Sequence, residues 1–187
     1  MNYGELIEFG DRFGWDEFSQ TAIRERDARN KDVSGAMLEN YAKTLDPIEI
    51  ASYNPQQVAA MDAALASMTQ VTNEAEGLFD SKAHAGGYTV PVAIDTCNDD
   101  FIKGIIYNIA RYKLAGDYIR SAKENYEMAL QWLTDLANRK ASIPCVERDS
   151  DSTTTIVGTI GVTSEKSGFN SDNMARYYGR YERYPKL

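Results

Sequence analysis

The most constraining feature of the sequence is a long apolar stripe that follows Asn54 and Pro55. This pair is typical of a helix start, because an Asn side chain can accept hydrogen bonds from free amides and Pro fits the first helical position. Apolar side chains then recur at spacings of three and four residues for about six turns. They are Val58, Met61, Leu65, Met68, Val71 or Thr72, Ala75 and Leu78. The pattern predicts a long amphipathic helix that buries one side.

Two further segments have the same periodicity. The first begins near Asn98 or Asp99, and its apolar face consists of Phe101, Ile102, Ile105, Ile106, Ile109, Ala110 and Leu114. Gly116 and Asp117 indicate a short break or a kink, and the second segment runs from about 118 to 139. It presents Ile119, Ala122, Tyr126, Ala129, Leu130, Leu133 and Leu136. Three such helices can cover one another's apolar sides, so the sequence predicts a small helical bundle.

Outside the bundle the patterns are shorter. Residues 3–13 predict a short helix whose inward side chains are Leu6, Ile7, Phe9 and Phe13. We interpret 20–53 as an irregular insertion with one possible short helix at about 35–44, and Pro91 indicates an extended segment at 88–92. The Thr-rich, Gly-punctuated segment 153–163 favours a strand. The predicted fold is mainly α: a helical connector domain at 1–147, then a β-prone extended arm and a C-terminal tail at 148–187.

Composition excludes several classes of protein. The 187 residues suit one domain with appendages, and a formal charge of −8 opposes a generic grip on nucleic acid or an anionic membrane. Cys97 and Cys145 form no CxxC pair and His84 is the only histidine, so a disulfide framework, a zinc site and a histidine-dependent triad are poorly supported. We expect both cysteines to act as small hydrophobic residues. Without a signal peptide or a membrane span, the sequence predicts a soluble protein made in a reducing compartment.

Charge is unevenly distributed along the chain. Residues 1–53 have a net charge of −5 and 54–147 have −4, whereas 148–187 have +1. Tyrosines and basic residues alternate near the C-terminus, at Arg176, Tyr177, Tyr178, Arg180, Tyr181, Arg183 and Tyr184. We call this set the Arg/Tyr tail. Because Arg and Tyr are enriched at interface hot spots, the tail predicts binding to a partner protein. An inert terminus and nucleic-acid binding through phosphate contacts and base stacking are the alternatives.

From Ala75 to Pro144 the sequence resembles the Mu-like phage family of small head-to-tail connector (adaptor) proteins. The matching pieces follow the end of the long helix. They are GYTVPV at 87–92, a helix start containing Cys97, NIARYKL at 108–114, NYEMALQWL at 125–133 and RKASI at 139–143. The segment ELIEFGDRFG at 5–14 is similar to the family's opening helix. These pieces cover about half of the chain, while 20–53 is longer than the family pattern and the Thr-rich segment does not align.

The resemblance implies a structural virion protein rather than an enzyme. Such subunits form a ring, typically twelve-fold, beneath the portal protein, and they present a docking face to a tail-side neck or tail terminator protein. DNA then passes through the lumen without specific binding, which an acidic lumen would favour. The resemblance therefore implies a place in the virion neck, assembled in the host cytoplasm, with no membrane partner.

Two sets of residues are candidates for contacts between subunits. Arg111 either rims the bundle or bridges to a neighbouring subunit's carboxylates, since its planar guanidinium can bind two oxygens. The β-prone arm can pair with a neighbouring subunit because backbone hydrogen bonds supply affinity. Its apolar interface candidates are Ile156, Val157, Ile160 and Val162. We expect the Arg/Tyr tail to dock on the portal or an adjacent subunit.

Catalytic and metal sites have weaker support. The acid pair at Asp99 and Asp100 suits a helix start, and Asp149 and Asp151 lack the other oxygen ligands of a calcium loop. The sequence contains no nucleotide-binding or hydrolase motif, so we expect no enzyme activity, no metal and no cofactor. The alternative from another class is a small dimeric helical nucleic-acid-binding regulator.

Overall fold

The structure is a computed structural model that describes residues 3–23, 33–44 and 50–149. These ranges contain six α-helices and no strand, so the predicted mainly α fold is confirmed for them. The helices are α1 (Leu6–Phe13), α2 (Trp15–Thr21), α3 (Gly35–Lys43), α4 (Pro55–Ala85), α5 (Asp99–Ala115) and α6 (Arg120–Ala137), with a 3-10 turn at Gly116–Tyr118. The chain divides into units Met1–Thr154 and Thr155–Leu187, and the described ranges belong to the first.

Helix α4 begins at the predicted place. The Gln57 amide donates to Asn54 Oδ1 at 2.8 Å, and the Asn54 amide donates to Gln57 Oε1 at 3.0 Å. This capping box satisfies two backbone amides at the N-terminus, and Pro55 follows at the first helical position. The predicted stripe is confirmed, because its members at Met61, Met68 and Ala75 are fully buried.

Helices α5 and α6 pack against α4 and against each other. Their predicted apolar faces are confirmed, with Ile102, Ile106 and Leu133 among the fully buried side chains. The 3-10 turn between them makes the two helices antiparallel, and Gly116 takes a φ of 60° there, which glycine tolerates best. At the opposite end of the pair, Gly86 lies so close to Leu136 that an added Cβ would be 2.7 Å from the Leu136 carbonyl oxygen.

The N-terminal helices complete the core. Phe9 of α1, Phe18 of α2 and Leu38 of α3 are fully buried, and α3 lies where the short helix at about 35–44 is predicted. The predicted inward position of Ile7 is wrong, because its side chain is 38% exposed. Leu6, Phe9 and Phe13 follow the three-and-four spacing of one helix face, and Ile7 lies about 100° away from Leu6.

The cysteines also differ from the expectation. Cys97 and Cys145 form a disulfide with a Cα–Cα distance of 6.2 Å, so the prediction that both act as unpaired small hydrophobic residues is wrong. The antiparallel pair explains the bridge. Cys97 precedes α5 and Cys145 follows α6, so both cysteines lie at the same end of the helix pair. Both residues are exposed, which also separates them from the buried core.

Candidate functional site

Most of the sequence-predicted site residues lie outside the described residues. This is the case for the Arg/Tyr tail and for the four apolar residues of the arm, as well as for the whole predicted strand at 153–163. Their roles stay predictions. The described ranges contain Arg111 and the point at which the chain continues toward the arm and tail.

Arg111 contacts a carboxylate of its own chain. Its Nε lies 2.7 Å from Glu17 Oε1, and its Nη2 lies 2.7 Å from Glu17 Oε2. The guanidinium also lies over the Phe13 ring, 4.6 Å from the centroid. Both charged side chains are mostly buried, at 12% and 18% exposure, so the pair connects α5 to α2 in a partly desolvated place. The two-oxygen geometry expected for a neighbouring subunit is therefore used inside the subunit.

The last described residues, 143–149, pack around Tyr88. The Ile143 amide donates to the Tyr88 hydroxyl at 3.1 Å, and the Asp149 amide donates to the Gly87 carbonyl at 2.9 Å. Arg148 lies over the Tyr88 ring, 5.3 Å from its centroid. We call these contacts between 143–149 and 87–89, together with the Cys97–Cys145 bridge, the C-terminal clamp. Because residues 150–187 follow directly in sequence, the clamp fixes the place from which the arm and the Arg/Tyr tail start.

A second tyrosine site holds the N-terminal segment. The Tyr3 amide donates to Glu76 Oε1 at 3.1 Å, and the Tyr3 hydroxyl accepts from the Val92 amide at 2.7 Å and bonds to Asp80. Burial is the main cause that raises the pKa of Tyr3, and its bond to Asp80 raises it further. A phenol that keeps its proton can donate to the carboxylate and accept from the amide at once.

Tyr107 of helix α5 holds the same segment from another side. Its hydroxyl accepts from the Glu5 amide at 3.0 Å and lies 3.3 Å from Glu8 Oε2, while its ring stacks on Phe9 with centroids 5.2 Å apart. Burial raises the pKa of Tyr107, and the negative charge of Glu8 adds to the effect. The sequence reasoning missed both tyrosines, since their partners are up to 102 residues distant in sequence.

The turn between α5 and α6 carries the most exposed aromatic side chain of the described ranges. Tyr118 is 97% exposed. Tyr112 of α5 and Tyr126 of α6 stack with ring centroids 4.2 Å apart. Lys123 and Asp117 form an ion pair of 3.0 Å. The sequence analysis placed Tyr118 at the start of a helix and did not single it out.

One cavity of the described ranges, of about 570 Å³, is an open depression along α4, lined by Ala66, Thr69, Gln70, Asn73 and Glu74. Another, of about 230 Å³, lies between the end of α2, the middle of α4 and the end of α5, where Glu74 and Lys113 pair at 2.6 Å. In residues 3–23, 33–44 and 50–149, no group of three or more His, Cys, Asp or Glu side chains could hold a metal ion. Among the helices of the same ranges, none is long and apolar enough to cross a membrane.

Comparison with known proteins adds no relative. No protein-family model matches the sequence, and neither a curated protein nor a solved structure matches it at a significant level. The function must therefore be argued from the residues, from their geometry and from the resemblance described above.

Proposed function

We propose that the chain is a head-to-tail adaptor of a phage particle. Identical subunits form a ring beneath the portal protein, extend the DNA channel and present a docking face to the tail-side neck or tail terminator protein. The number of subunits implied by the resemblance is twelve. The role is structural, and it requires neither a cofactor nor a catalytic residue.

The observation that carries the proposal is that the pieces of the resemblance form one packed unit. GYTVPV at 87–92 supplies Tyr88, and RKASI at 139–143 supplies Ile143, whose amide bonds to the Tyr88 hydroxyl at 3.1 Å. NIARYKL and NYEMALQWL belong to α5 and α6, which pack on each other and on α4. Pieces that are separate in sequence thus contribute to the same core, as expected if their order and spacing reflect a shared fold.

The charge distribution supports the same role. Residues 1–53 and 54–147 have net charges of −5 and −4, which suits a surface that DNA must pass without binding. The Arg/Tyr tail has the opposite character and follows the C-terminal clamp in sequence. A folded acidic body with a basic, aromatic extension is suited to contacts with other proteins of an assembly.

Truncation after Asn173 tests the role of the Arg/Tyr tail. We expect a folded protein that no longer binds the portal protein of the same phage or prophage, because each buried Arg or Tyr anchor contributes about 2 kcal/mol, roughly a thirty-fold change in affinity. Pull-down with the portal and electron microscopy of the neck measure the loss. The matched control is Ser171→Ala with Asp172→Asn, which alters the neighbouring residues and should bind normally.

Assembly provides a second test. We expect a monomer or small oligomer alone and a ring when the portal is present, as measured by size exclusion with light scattering. Deletion of 153–163 should leave the circular dichroism spectrum of the subunit intact and should weaken the ring, since we propose that this arm pairs with a neighbouring subunit. A stable dimer that ignores the portal would contradict the adaptor proposal.

A DNA titration separates this proposal from the regulator. Fluorescence anisotropy should show no binding at about 50 to 200 mM salt, since an adaptor lets DNA pass. Binding with a steep salt dependence would favour the small dimeric nucleic-acid-binding regulator instead.

A further inference from the structure

The C-terminal clamp combines buried hydrogen bonds with an exposed covalent bond. Tyr88 and Ile143 are 1% and 2% exposed, and they hold the inner side of the clamp. Cys97 and Cys145 are exposed and lie at its rim. The bridge therefore lies on the solvent side of the clamp, where a small thiol reagent would approach it.

The backbone conformation of Cys145 links the clamp to the disulfide. Cys145 has a φ of 57°, in the left-handed region that residues other than glycine seldom adopt. Such a conformation persists when surrounding contacts impose it. The bond to Cys97 is one of those contacts. Its loss removes a restraint from Cys145, a residue type that favours negative φ values.

We propose that Cys97 and Cys145 are a reversible thiol oxidation site that controls how firmly 143–149 are held. In the dithiol form, only noncovalent contacts hold the segment, among them the hydrogen bonds of Ile143 and Asp149 and the contact of Arg148 with the Tyr88 ring. In the disulfide form, the bridge joins the segment covalently to the start of α5. The redox state thus sets the stability of the point from which residues 150–187 continue, whatever the partner of the tail is.

The oxidant is a small disulfide of the glutathione type. One cysteine thiolate attacks a sulfur of glutathione disulfide and expels the first glutathione thiolate, leaving a mixed disulfide. The second cysteine thiolate attacks the protein sulfur of that mixed disulfide and expels the second glutathione. Two protein thiols are oxidised, one glutathione disulfide is reduced, and the two cysteine protons end on the two glutathione thiolates.

The two forms should differ in a local way. The bridge closes a loop of 48 residues, so its loss should lower the Tm by about 5–15 °C. The helices should remain, because the buried side chains of α4, α5 and α6 pack in one core while both cysteines are exposed. On reduction, hydrogen exchange at the amides of Ile143 and Asp149 should accelerate at least tenfold more than exchange at Ile102, Ile106 and Ile109 in α5, which should follow only the fall in global stability.

The experiment uses the full chain equilibrated over a series of reduced to oxidised glutathione ratios. Alkylation and mass spectrometry count the free thiols, while hydrogen exchange and thermal unfolding read the two forms. Cys97→Ser and Cys145→Ser should each have the Tm and the exchange rates of the reduced protein, and dithiothreitol should not change them. In the Cys97→Ser background, Cys145→Gly should restore some of the Tm, because glycine adopts the left-handed conformation without strain.

Three results would overturn the proposal. The first is a pair that stays as thiols at every glutathione ratio. The second is unchanged exchange at Ile143 and Asp149 after reduction, which would show that the noncovalent contacts hold the segment without the bridge. The third is an equal acceleration in α5, which would make the bridge a support of the whole core. If a serine variant failed to fold, reduction of the unaltered chain would still decide among these outcomes.

Discussion

The two ends of the described chain are attached to the same helical bundle in different ways. Near the N-terminus, Tyr3, Phe9 and Phe18 are buried, and the polar contacts of this segment end on Glu76 and Tyr107 inside the protein. At the C-terminal end, the clamp has one buried amide bond at Tyr88, while Thr89, Asp149 and both cysteines are exposed.

The two ends differ in what their detachment from the bundle would cost. The N-terminal segment belongs to the core, so its detachment would expose aromatic side chains to water and lower the stability of every helix. The C-terminal clamp also buries Tyr88 and Ile143 in this core, but its disulfide lies at the exposed rim, so reduction would loosen its outer side while the apolar faces of α4, α5 and α6 stay packed on one another. An adaptor with this arrangement would combine a constant body with an adjustable extension.

Phe9→Ala should give the largest effect at the N-terminal end. The side chain is fully buried and packs against Phe18 and Tyr107, with centroid distances of 4.7 and 5.2 Å, so its loss should lower the free energy of unfolding by about 3–5 kcal/mol. Urea unfolding followed by circular dichroism measures the change. Ile7→Ala in the same helix is the matched control and should cost less than about 1 kcal/mol. Similar losses for the two variants would contradict the proposed core position.

Alkaline pH should weaken the N-terminal end next. Burial raises the pKa of Tyr3 and of Tyr107, whose ordinary value is 10.0. Below pH 10 both states keep these protons, so the full stability is present. Above pH 10 the unfolded chain loses them while the folded chain retains them, and stability falls by about 1.4 kcal/mol per pH unit for each tyrosine.

Urea unfolding at several pH values between 9 and 11 measures this decline. Tyr3→Phe and Tyr107→Phe should each make the curve less steep, whereas Ile7→Ala should keep the slope of the unaltered protein. Tyr41 and Tyr112 add to the decline, since the bond of Tyr41 to Asp62 and the burial of Tyr112 raise their pKa values too. If Tyr3→Phe and Tyr107→Phe left the slope of stability against pH unchanged, the N-terminal tyrosines would not cause the decline.

The Arg111–Glu17 pair should contribute a smaller amount. Arg111→Ala leaves the Glu17 carboxylate mostly buried without its partner, so we expect a loss of about 1–3 kcal/mol, and Arg111→Lys should recover only some of it. A double-mutant cycle with Glu17→Ala isolates the coupling between the two side chains. Normal stability of Arg111→Ala together with defective ring assembly would instead favour the neighbouring-subunit contact.

The sequence predicted the elements whose signals are local. Asn54 and Pro55 place the start of α4, and the repeated three-and-four spacing places α5 and α6, because caps and periodicity depend only on nearby residues. Helix α2 was not predicted, since seven residues with two buried side chains, Trp15 and Phe18, are too short to establish a stripe.

The contacts that define the two ends could not be predicted in the same way. Tyr107 and Glu5 are 102 residues apart, and no local pattern records such a distant hydrogen bond. The sequence predicted the two helices between Cys97 and Cys145 but not that they are antiparallel, and it is this arrangement that brings both cysteines to one end. The spacing of the two cysteines, which form no CxxC pair, argued against a disulfide.

Tyr88→Phe should have the smallest effect and is the finest test of the comparison. The ring remains in place, and the loss of its hydroxyl leaves the buried Ile143 amide without the 3.1 Å bond, at a cost of about 1 kcal/mol. Because the disulfide restrains the same segment, hydrogen exchange at Ile143 should change little in the oxidised variant and markedly in the reduced variant. Tyr118→Phe, at an exposed position, is the control for losing a phenol and should match the unaltered protein in both forms. If Tyr88→Phe accelerated exchange in α5 as well, the C-terminal clamp would belong to the core, and the two ends would not differ as described.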